Sequence, residues 1–219
     1  MKKILFALCL TLSLVAAIPA SADTLQIGGT FTSPINMLQG SSSLTLGGGS
    51  VEPTYVNGTQ VAYTYCVDPF TDVYVPGSYA STVVTSNGAI YGSVQGWVGE
   101  VAWLLNNYGT SGQGENAYAL QAAIWTVITA GTANALTLNA SLSTANEISL
   151  YNAMVSGVQN APGLVSQYLW ITPGTTDSNG SVVQYQGLVA AASVPIPGAL
   201  LLFGPGLFGL AAIRRRFKV

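Results

Sequence analysis

The chain has 219 residues, of which 49% are hydrophobic and only 6% charged, and it contains no histidine. All six Lys and Arg residues lie at the two ends (Lys2, Lys3, Arg214, Arg215, Arg216 and Lys218), and all eight acids lie between them, so residues 23–193 carry a net side-chain charge of −8. This argues against nucleic-acid binding, which needs basic side chains against phosphate, against Ser-His-Asp or Cys-His catalysis, and against a His/Cys zinc site or a P-loop; no enzyme, metal or cofactor chemistry is expected.

In chain order, Met1-Lys2-Lys3 forms a short positive segment, Ile4 to Ala17 an apolar stretch, and Ala20-Ser21-Ala22 a small-residue cleavage site. These are the three parts of a secretory signal peptide, residues 1–22, and they predict an exported protein. Residues 23–193 then suffice for one domain.

Its first part reads as strands. "TLQIGGTFTS" (24–33) and "SSLTLGGGS" (42–50) alternate and are rich in Thr, with Gly turns. "TQVAYTYCVD" (59–68) is dense in Val, Tyr and Thr and predicts one strand. Residues 72–92 read as a strand or loop ending at the turn signal Ser86-Asn87-Gly88.

The period then changes. Val94, Trp97, Val98, Val101, Leu104 and Leu105 share one helical face within 92–109, and Ala117, Leu120, Ile124, Val127 and Ile128 share another within 115–131. Gly109 and Gly131 are natural stops. Thr144 and Glu147 have the spacing of a capping box before a third helix near 145–159. "SQYLWITP" (166–173) and "GSVVQYQGLVA" (180–190) return to strand composition. The expected fold is α+β: a β-rich single domain, sandwich or barrel-like, with two to three inserted helices, followed by a C-terminal apolar helix.

The chain closes on "SVPIPGALLLFGPGLFGLAAIRRRFKV". From Val194 to Ile213 there is no charge, a length that reaches across a bilayer core of roughly 20 helical residues. Arg214, Arg215 and Arg216 would stay cytoplasmic. Gly204-Pro205-Gly206 weakens the helix as a permanent anchor. The order of Val194, Pro195 and Pro197, the interrupted apolar run and the arginines resembles a PEP-CTERM sorting signal, with Ile196 where the commonest pattern has Glu. The resemblance implies processing by an exosortase in a Gram-negative envelope, an inner-membrane intermediate, and delivery to the cell surface or extracellular matrix. Residues 194–219 are assigned to this signal.

Cys66 poses the sharpest chemical question. Cys9 lies in the expected signal peptide, so Cys66 has no disulfide partner in the mature chain. It is a buried structural thiol, an intermolecular disulfide, or a cysteine bonded to something other than sulfur. Gln121 sits among Ala, Leu, Ile and Trp in "YALQAAIW", where an unpaired amide is costly. "YCV" (65–67), "WLLNNYG" (103–109) and "LQAAIW" (120–125) together resemble the thioester domains of bacterial surface adhesins, with Leu120 where that family has Thr. The resemblance implies an internal thioester between Cys66 and Gln121, an aromatic pocket from Tyr65, Trp103 and Trp125 that excludes water, and covalent capture of an amine-bearing surface or polysaccharide-matrix ligand. The alternative is a non-catalytic structural envelope or matrix protein of the same sorting class without the bond. Asp68 and Asp72 flank a turn after Cys66, but two carboxylates are too few for a Ca²⁺ site.

Overall fold

A computed structural model describes residues 22–29, 34–158 and 163–191. Residues 1–21 of the expected signal peptide and all of 194–219 lie outside the described residues. Among the described residues no helix is long and apolar enough to cross a membrane.

The fold is α+β and rich in strands. The first nine strands are β1 (Asp23–Ile27), β2 (Pro34–Gln39), β3 (Ser42–Gly47), β4 (Thr54–Val56), β5 (Thr59–Gln60), β6 (Thr64–Cys66), β7 (Gly77–Thr85), β8 (Ala89–Ile90) and β9 (Ser93–Val94). Helices α1 (Val98–Tyr108) and α2 (Glu115–Thr129) follow, then β10 (Leu136–Leu138) and α3 (Ala145–Gly157). The last strands are β11 (Tyr168–Thr172), β12 (Gly174–Thr176), β13 (Val182–Gln184) and β14 (Leu188–Ala191).

Seven strands form one antiparallel sheet in the order β5-β4-β1-β7-β11-β14-β6, curled into a half-barrel. Near its β6 end, Trp170 and Ile171 on β11 and Leu188, Val189 and Ala190 on β14 have no exposure. Both faces are covered there, so burial runs continuously along each strand instead of alternating. A second sheet, β10-β2-β3, packs against α2 through β10 and β2.

Helix α2 lies at the centre, packed against α1, α3, β2, β6 and β10. Ala117, Ala119, Ala122 and Ala123 on it are buried together with Leu120, Ile124 and Trp125. Alanine is the best helix former and lets neighbouring backbones approach closely, and a helix apolar on nearly every side belongs inside a core. Gly131, in the left-handed region at φ 74°, follows its last turn. Helix α3 starts at Thr144, whose hydroxyl accepts from the Glu147 N–H at 3.1 Å, the cap that the spacing predicts.

Two sequence expectations change. The single strand over 59–68 is two short ones, β5 and β6, separated at residues 61–63 where Val61 N–H turns back to the Thr54 carbonyl. The first helix begins at Val98; Val94 belongs to the β8–β9 hairpin and is 61% exposed, so the helical period did not extend to it.

Candidate functional site

Strand β6 is the last strand of the large sheet, hydrogen-bonded to β14 on one side only. An edge strand presents unpaired N–H and C=O groups, and in a core these need partners. Thr64, Tyr65 and Cys66 are all buried. The outward groups of Thr64 are met by the loop after β3: its carbonyl accepts from Val51 N–H at 2.8 Å and its N–H reaches Ser50 Oγ at 3.4 Å.

Two residues on, a side chain takes over. Cys66 N–H donates to Gln121 Oε1 at 2.9 Å, and Gln121 Nε2 donates to the Cys66 carbonyl at 2.8 Å. The carboxamide thus stands where the peptide of a further strand would stand. Cys66 and Gln121 both have no exposure. The structure therefore brings the two expected residues, 55 positions apart in the chain, into reciprocal contact. The chain loops over them. A Cβ added at Gly48 would overlap Ile35 Cδ1 and come within 3.2 Å of Gln121 Cγ, so any larger residue in this cover must displace the buried Ile35 side chain.

The electrostatics of the thiol follow from burial. Desolvation, aided by the Asp68 charge, pushes the Cys66 thiol up from 9.0 to about 12. At neutral pH it is the protonated thiol, since a thiolate has no nearby cation to stabilise it.

The three expected pocket aromatics are placed differently. Neighbours in a strand leave it on opposite faces, so Tyr65 diverges from Cys66; its hydroxyl donates to the Thr110 carbonyl at 2.7 Å. Trp125 stands one helical turn beyond Gln121 on the same face of α2, buried, with its Nε1 unpartnered. Trp103 packs at the α1–α3 junction against Gly157, with its ring 5.9 Å from that of Tyr108. Among the described residues no hydrogen bond or ring contact joins it to Cys66 or Gln121. Thr64, on the Cys66 face of β6, has an unpartnered buried hydroxyl.

Sequence reasoning missed the cover. Ser50 Oγ donates to Glu52 Oε1 at 2.6 Å, Gly112 N–H reaches the same oxygen at 2.9 Å, and Gln113 Nε2 donates to the Ser50 carbonyl. The signal was the run Gly47-Gly48-Gly49-Ser50, which reads equally as an ordinary turn. Asp68 and Asp72 belong to no cluster of three or more candidate ligands among the described residues. No family model, curated protein or solved structure matches the chain.

Proposed function

We propose that this is an exported surface or extracellular-matrix protein, sorted by an exosortase, that attaches covalently to amine ligands through a thioester between Cys66 and Gln121. The observation that carries this reading is the reciprocal pairing of the Gln121 carboxamide with the Cys66 main chain inside a sealed core.

The chemistry is balanced. The Cys66 thiol adds to Gln121 Cδ, the C–N bond breaks, and Nε2 departs as ammonia with the thiol proton. Cys66 N–H already points at Oε1 and polarises the carbonyl; it remains in place for the negative charge that develops on that oxygen. Both reactants are held by one strand and one helix, so the reaction is intramolecular, and fixed geometry of this kind supplies effective molarities of about 10⁵ M or more. The scarce thiolate is the opposing term: burial that protects the product also slows its formation. An incoming amine then opens the thioester to an amide and returns the thiol. Each molecule acts once, so this is capture and not turnover.

A second reading rests on the same pairing. Gln121 satisfies every outward group of Cys66 and so completes a sheet edge without any bond. On that reading the protein is a structural component of the envelope or matrix.

Intact mass separates the two. A native mass short by one ammonia, converted by methylamine to an adduct on Gln121, is the outcome expected of the thioester. A full mass with Cys66 alkylated only after unfolding would leave the structural reading standing.

A further inference from the structure

A groove of about 230 Å³ opens where the loop after β6 meets the end of α2. It is lined by Val67, the residue next to Cys66, and by Asp68, Phe70, Trp97 and Ile128 among others. Its volume lies below the roughly 300–1,000 Å³ of ordinary small-molecule sites, which suits a narrow group better than a ring system.

Its chemistry selects a cation. Asp68 is half-buried and is the one carboxylate in the lining. Phe70 N–H donates to its Oδ1 at 3.0 Å and the Tyr91 hydroxyl to its Oδ2 at 2.7 Å. These neutral donors hold the carboxylate still without cancelling its charge. No Lys, Arg or His exists among residues 23–191 to do so. Phe70 is 54% exposed for so large an apolar side chain, and Trp97 is half-buried beside the groove. Aromatic faces attract ammonium groups within about 6 Å of the ring centre. Thr129, Thr132 and Asn134 add only neutral polar groups, so an anion would meet the Asp68 charge with no cation to offset it, and a neutral apolar guest would strip water from a carboxylate that has no counter-ion.

We infer that this groove is a non-covalent docking site for a primary ammonium on an alkyl stem, as a lysine side chain presents it, with Asp68 as counter-ion and Phe70 and Trp97 as walls. The ligand class rests on the capture reading above; the site itself does not require the thioester. Docking would hold an amine at Asp68, two residues along the chain from Cys66, before the covalent step.

The test uses the full chain carrying Cys66→Ala, which cannot form the bond. Pentylammonium is titrated against it, and the Trp97 indole N–H resonance, assigned by loss in Trp97→Phe, is followed. A saturable shift is expected, absent with pentanol at equal concentration. Asp68→Asn should weaken it about tenfold or more, and Phe70→Ala, at an exposed position, about three- to fivefold. An equal response to pentanol, or no change in Asp68→Asn, overturns the proposal. The mass measurement is independent of this one: saturable binding with no thioester supports docking and removes capture, whereas a thioester with no ammonium response removes docking alone.

Discussion

Gln121 resolves a conflict that its composition poses. A carboxamide with no exposure in an alanine-rich helix needs both of its ends paired, and the Cys66 main chain pairs both. The pairing is mutual, so truncation harms both partners. Gln121→Leu would leave the Cys66 N–H and C=O buried without partners, at about 1–3 kcal/mol each. Cys66→Ala removes the sulfur but keeps the main-chain pairing. Neither variant can form a thioester, so the comparison between them isolates the hydrogen bonds. Urea unfolding should place Gln121→Leu roughly 2 kcal/mol or more below Cys66→Ala. Equal stabilities would mean that the amide contributes nothing to the edge of β6.

At the scale of elements, the site is an edge strand, a central helix and a glycine cover, each legible in the sequence to a different degree. Helix α2 was readable because its apolar period persists over four turns and Gly131 ends it. Strand β6 was half readable: its composition was right, but the break at residues 61–63 comes from a tertiary bond, Val61 N–H to Thr54. Strand β2, opening on Pro34 and containing Asn36, has poor intrinsic strand preference and exists because β3 and β10 flank it. Strands β4, β10 and β12 span three residues each, too few to show a period. The meeting of Cys66 with Gln121 spans 55 residues and has no local signature, so it was reachable only through the motif resemblance. The cover was hidden because its residues look solvated. Its fit can be measured. Gly48→Ala forces a methyl group into Ile35 and against Gln121, and should cost about 1–3 kcal/mol. Gly96, which has open space around its Cα, provides the control: Gly96→Ala should lie within about 0.5 kcal/mol of the native protein. Similar losses at both positions would remove the close approach at Gly48 as the cause.

For the whole molecule, charge is the organising quantity. A domain of −8 with no basic side chain has no side-chain ion pairs of its own, so its stability in alkali depends on groups that burial keeps neutral. Burial raises the phenols of Tyr65, Tyr91 and Tyr168 above 10.0, and the fold should soften in alkali on their account. Cys66 adds a further increment only while it is a thiol. Its folded pKa, pushed up to about 12, exceeds the ordinary 9.0, so the fold favours the protonated form. That contribution is whole below pH 9.0 and is lost as pH climbs from there towards 12, because the unfolded chain releases the proton first. With a free thiol, the stability of the native chain should therefore fall relative to Cys66→Ala by about 1.4 kcal/mol per pH unit above the unfolded value. A thioester has no proton to lose, and the two curves would then run parallel while both sag with the tyrosines. Unfolding in urea between about pH 8 and 10.5 reads this slope. Parallel curves accompany a mass short by one ammonia, and diverging curves accompany a full mass; parallel curves with a full mass would mean that burial against α2 does not raise the thiol.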